Sequence, residues 1–278
     1  MIVKILFFAA AAVLVSRGEG SPDKIVPYKK VGDAELTLHI FNPPGHQASD
    51  KTPTIVFFFG GGWVSGEPSM FYKQSAYLAS RGMVAICADY RTKGTYQTTP
   101  QECVKDGKSA MRWVRAHAAE LGIDPQMIAA GGGSAGGQVA AAAALTKGFN
   151  ETSDDLSVSC RPDALVLFNP VFDNGPGSYG HGTVKEYWEG FSPMNNIATG
   201  APPTLVMLGT ADQLVPVSTA EKYKMLMEQV GSRCDLKLYE GAKHAFFNSG
   251  KAFESTLLEA DKFLISLGYL KGEPTLKN

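Results

Sequence analysis

The sequence predicts an α/β protein built on a mostly parallel, doubly wound sheet of about eight strands. Three observations predict this class, and the first two are that short unbroken apolar runs alternate with helical stretches and that an antiparallel hairpin opens the series. The third is size, because a chain of 278 residues, 44% of them hydrophobic, can bury one large core. No internal repeat or low-complexity linker divides the chain, so we expect a single domain over residues 21–278.

The first twenty residues, MIVKILFFAAAAVLVSRGEG, follow a different pattern. Lys4 precedes eleven apolar residues, 5–15, and small residues follow at Gly18 and Gly20. This pattern is typical of a secretory signal peptide, and the apolar stretch is too short to span a bilayer comfortably. We expect cleavage near Ser21 and a secreted or periplasmic protein with no membrane partner afterwards. The alternative interpretation is a buried N-terminal helix.

The domain begins with a predicted hairpin, in which residues 25–31 and 35–41 flank a turn that contains Gly32. Apolar residues three or four apart predict helices over residues 103–121 and 253–267. The remaining predicted strands are short, apolar and rich in β-branched or aromatic residues, as expected of strands buried on both faces, and they lie at 54–60, 83–90, 127–132, 164–170, 204–209 and 235–241.

Residues 171–201, between two of these strands, are too few for a second domain and predict a short cap. In sheets of this class the ligand binds beyond the carboxyl ends of the strands. We therefore expect the functional residues in the loops at that edge.

Charge and cysteine patterns exclude several functions. The chain has 26 basic and 27 acidic residues and no basic run, so it lacks the footprint of a nucleic-acid-binding protein, and we expect a small substrate. The four cysteines have no metal-ligand spacing, and we expect no metal and no cofactor. Cys103 begins a helix at one edge of the sheet and Cys160 precedes a strand at the other, so we expect no disulfide between them. Asn150 begins a glycosylation sequon.

A glycine-rich turn, MIAAGGGSAGGQVA at 127–140, has two interpretations. Gly132, Ser134 and Gly136 form G-x-S-x-G, the strand-to-helix turn that presents a nucleophile, whereas Gly131, Gly133 and Gly136 form the dinucleotide motif G-x-G-x-x-G. The dinucleotide interpretation needs an acid ~20 positions on, at the end of the next strand. The acids near that distance precede the next strand, so the nucleophile is favoured; they are Glu151, Asp154 and Asp155.

A second phosphate-binding candidate is GKS at 107–109. A phosphate loop would need glycine at position 102, where the sequence has Glu102. We interpret it as a polar helix turn.

A nucleophilic serine needs an imidazole base and a carboxylate that orients it, and in this topology their order is serine, acid, histidine. His244 and Asp212 each follow a predicted strand directly, at the edge where Ser134 lies. The rival pair, Asp173 and His181, lies within one glycine-rich insertion. We predict Ser134, Asp212 and His244 as the catalytic residues.

The glycine run in FFFGGGWVSG (57–66) follows a strand and predicts an oxyanion hole. Without Cβ atoms, the amides of Gly61 and Gly62 can turn toward a ligand, and the amide of Ala135 opens the helix after the serine. Aromatic residues near this edge could form a rim that binds a sugar or could pack the cap onto the body; the candidates for substrate binding are Trp63, Tyr179 and Trp188.

Seven motifs occur in the order typical of one family: GGGW (60–63), DYR (89–91), RWVR (112–115), GIDP (122–125), GGSAGG (132–137), GTAD (209–212) and KHAF (243–246). From about residue 33 to 270 the chain resembles the α/β-hydrolase superfamily, in its esterase/lipase branch of hormone-sensitive-lipase-like carboxylesterases and bacterial acetyl and feruloyl esterases. The resemblance implies the α/β-hydrolase fold and assigns Ser134 as nucleophile, Asp212 as acid and His244 as base, with Gly61, Gly62 and Ala135 as oxyanion donors. Two positions depart from the pattern: Phe59 replaces a histidine that braces the glycine loop, and Gly133 replaces an acidic residue.

The expected function is hydrolysis of short-acyl esters by a secreted serine carboxylesterase, with acetyl or feruloyl groups on carbohydrates as substrates. The small cap favours an open site. The alternatives are a serine peptidase or a lipase of the same fold, or a binding protein without catalytic activity.

Overall fold

The computed structural model describes residues 13–14 and 20–276. The signal peptide predicted over residues 1–20 therefore lies almost wholly outside the described residues. In the part of the chain that is described, every helix is too short or too polar to cross a membrane.

A single sheet organises the fold, with the strand order β1-β2-β3-β5-β4-β6-β7-β8-β9. Each neighbouring pair from β1 through β2 and β3 to β5 is antiparallel. Each neighbouring pair from β5 through β4, β6, β7 and β8 to β9 is parallel. This arrangement confirms the predicted mostly parallel sheet with its N-terminal hairpin. The strands are β1 Val13–Leu14, β2 Lys24–Val31, β3 Ala34–Phe41, β4 Thr52–Phe58, β5 Val84–Ala88, β6 Ile123–Gly133, β7 Ala164–Phe168, β8 Thr204–Gly209 and β9 Cys234–Tyr239.

Helices cover both faces of the sheet. They are α1 Tyr72–Ser80, α2 Lys93–Tyr96, α3 Pro100–Ala116, α4 Ala118–Leu121, α5 Ala135–Leu145, α6 His181–Val184, α7 Trp188–Phe191, α8 Val217–Gln229 and α9 Gly250–Ser266. The predicted helix over 103–121 begins earlier, at Pro100, because Thr99 and Glu102 form a capping box, and it ends at Ala116 before the separate turn of α4.

The core forms two layers because strand side chains alternate between the faces. In β4, Val56 and Phe58 pack on the α3, α5 and α8 side, and Ile55 and Phe57 pack on the α1 and α9 side. Helix α5 is apolar nearly all round and is buried along almost its whole length. This burial holds the helix that follows the glycine turn rigidly against the sheet.

The cap is as small as predicted. Between β7 and β8 it contains the single-turn helices α6 and α7, and Val184 and Phe191 anchor it to the core. All four cysteines lie among the described residues and are unpaired; they are Cys87, Cys103, Cys160 and Cys234.

Candidate active site

Ser134 occupies a sharp turn between β6 and α5. Its φ of 52° and ψ of −120° are unusual for a residue with a side chain. The Ser134 amide donates a hydrogen bond to the Phe168 carbonyl at 2.9 Å, which helps to stabilise this backbone conformation. A Cβ at Gly132 would lie 2.6 Å from the Phe58 carbonyl oxygen, and one at Gly136 would lie 2.1 Å from it. Glycine is therefore required on both sides of the serine, and the motif forms the sharp strand-to-helix turn that G-x-S-x-G predicts.

Ser134, His244 and Asp212 form one hydrogen-bonded chain. His244 Nε2 lies 2.8 Å from Ser134 Oγ, and His244 Nδ1 lies 2.7 Å from Asp212 Oδ2. Because Nδ1 donates to the carboxylate, Nε2 is free to accept the serine proton. The structure thus brings together the three residues that the sequence placed at three strand ends.

Asp212 is buried, and both of its oxygens have donors. Burial alone would raise the pKa of this carboxyl. The hydrogen bond from His244 and the backbone N–H hydrogen bonds from Val215 and Leu214 instead lower the pKa below its ordinary value. Asp212 is therefore held as a carboxylate that orients the imidazole.

A residue that the sequence motifs did not indicate stabilises the turn beside the histidine. Asn169 follows β7 and is fully buried, and its Oδ1 accepts a hydrogen bond from the Ala245 amide at 3.1 Å. Ala245 adopts a φ of 64°, so this bond stabilises a strained turn beside His244. The available signal was a polar residue directly after a buried strand.

The glycine loop after β4 crosses the serine turn. A Cβ at Gly60 would lie 3.1 Å from the Gly133 carbonyl oxygen and 3.5 Å from Ser134 Cβ. Gly61 and Gly62 have φ values of 125° and 64°, which favour glycine. Ala135 follows Ser134 directly and opens α5, so its amide is among the N–H groups that the helix leaves without an internal acceptor, and with the amides of the glycine loop it is a candidate oxyanion donor.

The absence of an acidic residue at position 133 has a packing explanation. A Cβ at Gly133 would lie 2.5 Å from Cζ of Phe247. The ring of Phe247 is 3% exposed and packs on Phe168 and Phe71. The phenylalanine occupies the space into which a side chain at 133 would project.

The three candidate substrate-binding aromatics differ in exposure, although the rings of Trp63 and Tyr179 contact each other with centroids 5.7 Å apart. Trp63 is only 3% exposed and its indole N–H donates to Gln138 Oε1 at 3.2 Å, so it does not lie on an exposed rim. Tyr179 and Trp188 are partly exposed, and the Tyr179 hydroxyl lies 2.7 Å from where a Gly62 Cβ would be. Tyr179 is therefore beside the glycine loop.

The rival candidates have local roles. Asp173 accepts hydrogen bonds from the Gly175 amide and the Ser178 hydroxyl, and His181 bonds the Asn174 carbonyl. GKS at 107–109 lies inside α3, where the Lys108 ammonium binds two carbonyls after α5, those of Thr146 and Gly148. Within the described residues no group of three or more His, Cys, Asp or Glu side chains could hold a metal ion.

Solved structures include close neighbours of this chain. Apo Thermogutta terrifontis esterase 2 aligns with a TM-score of 0.87 and 41% sequence identity, over 91% of this chain and 97% of that one. The chain belongs to the esterase branch of the α/β-hydrolase superfamily. Family models agree with this placement: residues 38–173 match BD-FAE, and residues 178–263 match the dienelactone hydrolase family.

Curated relatives of this α/β-hydrolase are also esterases. The probable carboxylic ester hydrolase LipM of Mycobacterium tuberculosis is 28% identical over an alignment of 234 residues that covers 76% of this chain and 53% of that protein. Esterase LipC of the same organism is 30% identical over an alignment of 216 residues that covers 70% of this chain and 53% of that protein. The chain spans about half the length of these curated relatives. The comparisons together support carboxylic ester hydrolysis.

Proposed function

We propose that the chain is a serine carboxylic ester hydrolase that acts through an acyl-enzyme. The observation that carries the proposal is the unbroken hydrogen-bonded chain from Ser134 through His244 to Asp212. Ser134 Oγ attacks the ester carbonyl carbon as His244 Nε2 takes its proton, and the oxyanion accepts hydrogen bonds from the loop and helix amides. His244 then protonates the leaving alcohol. It next deprotonates the water that releases the acid.

Short acyl groups fit this site best. The cap contains only short helical segments, namely α6, α7 and a 3₁₀ turn at Pro193–Asn196, and the described residues contain no long apolar insertion that could cover an extended chain. The Thermogutta esterase 2 has been solved with propionate and with butyrate bound. We infer short-acyl substrates for this chain as well, because the two chains share 40–41% identity over 91% of this chain.

The alcohol side of the site suits a polyhydroxylated group. Because His244 returns its proton to the leaving oxygen, the alcohol must lie beside it. A cavity of about 240 Å³ lies there, lined by Gln213, Leu214 and Lys243, and a second of about 120 Å³ shares Gln213 and Leu214 and reaches Tyr179. Amide, ammonium and phenol groups around an apolar residue favour a carbohydrate, and an acetyl or feruloyl sugar ester is our proposed substrate. The predicted signal peptide would place the protein outside the cytoplasm.

Covalent labelling tests the proposal. A fluorophosphonate probe should modify Ser134, detected by mass spectrometry, and Ser134→Ala should remain unlabelled. Turnover is then compared on acetylated and feruloylated saccharides, p-nitrophenyl esters of increasing length, and peptides. Cleavage of peptides would indicate a peptidase, and a long-chain optimum would indicate a lipase. If the protein showed no labelling and no turnover, a binding protein without catalytic activity would be indicated.

A further inference from the structure

The glycine loop lacks its usual histidine, and Phe59 stands at that position, packed against Tyr90. Phe59, directly before the glycines, is 1% exposed, and its ring stacks on Tyr90 with centroids 4.0 Å apart and an interplanar angle of 10°. The Tyr90 hydroxyl donates a hydrogen bond to the Phe59 carbonyl oxygen at 2.6 Å. Tyr90 therefore holds both the side chain and the backbone of Phe59.

The Phe59 carbonyl belongs to the peptide unit that enters the glycine loop. A Cβ at Gly136, on the helix after the nucleophile, would lie 2.2 Å from this oxygen, so the carbonyl is wedged between that helix and the Tyr90 hydroxyl. The loop then folds back on Phe59: a Cβ at Gly66 would lie 2.4 Å from its ring. Rotation of this peptide would move Gly60 and Gly61 directly, because consecutive peptide units share a Cα.

The segment after Tyr90 holds the far end of the same loop. The Lys93 amide donates to the Trp63 carbonyl at 3.0 Å, and the Gly94 amide donates to the Val64 carbonyl at 2.8 Å. This segment is itself fixed, because Arg91 donates from its amide and its guanidinium to the fully buried Asp106. Tyr90 thus connects the segment fixed by Asp106 to the first residue of the glycine loop region, Phe59.

Burial also keeps the Tyr90 hydroxyl protonated. Loss of solvation in the core raises the pKa of Tyr90 well above its ordinary value, and the nearby Cys103 and Asp89 raise it further. The group is therefore a permanent donor. Without it, the Phe59 carbonyl oxygen would lose its side-chain donor in the core.

We infer that the Tyr90 hydroxyl is a positioning residue for the oxyanion hole. It acts through the Phe59 carbonyl on the amides of Gly61 and Gly62 and does not touch the substrate. The inference rests on the proposed function, because it assigns those amides to the oxyanion. It predicts an effect on the transition state that is larger than the effect on substrate binding.

Tyr90→Phe is the test, since it removes one hydroxyl and keeps the stacked ring. Loss of a whole oxyanion donor costs about 10²–10³ in kcat, so a displaced loop should cost roughly 10–100-fold. KM should change by less than about threefold, and affinity for a boronic acid that mimics the tetrahedral adduct should fall with kcat. Rates are expressed per active site, counted by organophosphate titration.

Tyr223→Phe is the matched control. Tyr223 is also fully buried and stacks on a phenylalanine, Phe172, at 4.2 Å and 13°, but it lies on α8. The Tyr223→Phe variant should retain wild-type kcat and boronate affinity. Phe59→Leu serves as a second variant, because it removes the stacked ring and keeps the backbone acceptor; it should lower Tm with a smaller loss of kcat than Tyr90→Phe.

The outcomes separate the hypotheses. Wild-type kcat in Tyr90→Phe, with Ser134→Ala inactive, would overturn the inference and leave the proposed function intact. Losses of kcat that follow losses of Tm across all three variants would also overturn it, because the role would then be structural. Absence of ester hydrolysis by the unmodified protein would overturn the proposed function and the inference together.

Discussion

Gly133→Ala should damage the enzyme through a single contact. The new Cβ would lie 2.5 Å from Phe247 Cζ, roughly 0.9 Å short of the 3.4 Å at which ordinary contact begins. The ring cannot swing away, because it is 3% exposed and its centroid lies 4.8 Å from that of Phe168. Either Ser134 or the turn that carries both Phe247 and His244 must therefore move.

The size of the effect follows from that displacement. Overpacking of this kind costs about 1–3 kcal/mol, which is roughly a 2–10 °C fall in Tm for a domain of this size. A shift approaching 1 Å between nucleophile and base lowers kcat by about 10–100-fold. We therefore expect both quantities to fall in Gly133→Ala, measured by calorimetry and by p-nitrophenyl acetate turnover per titrated site.

Relief of the contact should restore the enzyme. Phe247→Leu shortens the opposing side chain, so the double variant with Gly133→Ala should regain much of kcat, with a coupling free energy of about 1 kcal/mol or more. Gly148→Ala is the control, because its Cβ would meet no atom within 4 Å. Equal losses in Gly133→Ala with and without Phe247→Leu would refute the reasoning.

Other predictions concern the catalytic residues, the substrate and pH. Ser134→Ala, Asp212→Asn and His244→Ala should each lower kcat by ~10⁴-fold or more, and the double Ser134→Ala/His244→Ala variant should be little worse; near-normal turnover by folded His244→Ala would reject the assignment. Hydrolysis of p-nitrophenyl esters should peak at acetate to butyrate, because each uncovered CH₂ forgoes up to ~0.8 kcal/mol, and an octanoate optimum would contradict this. Trp188→Ala should lower kcat/KM on an acetylated oligosaccharide by ~1–2 kcal/mol while p-nitrophenyl acetate is spared; equal losses would make Trp188 a packing residue. Burial raises the pKa of Asp89 to about 6, so its charged form destabilises the fold above that pH. Asp89→Asn should therefore raise the free energy of unfolding by up to about 2–3 kcal/mol at pH 8, and the gain should shrink through pH 5 and vanish below about pH 4; a pH-independent gain in urea unfolding would contradict this.

The sequence alone was sufficient wherever the information is local along the chain. Apolar runs predicted β4 and β7 because both faces of these strands are buried, and strand order then placed Ser134, Asp212 and His244 at one edge. The glycines around Ser134 indicated a nucleophile turn because close backbone approach forbids a Cβ there. Helix ends were less certain, since the start of α3 depends on the Thr99 cap rather than on the apolar period.

Contacts between residues distant in sequence were decided only by the tertiary structure. Trp63 looked available to a sugar, but its indole is buried against Gln138, which is 75 residues away in the chain. The Phe247 ring fills the space that a side chain at position 133 would need, and the Tyr90 hydroxyl donates a hydrogen bond to the Phe59 carbonyl. No sequence motif links the residues of either pair. The physical reason is that hydropathy and turn chemistry act between chain neighbours, whereas steric exclusion and buried hydrogen bonds depend on which side chains the folded sheet brings within a few ångströms.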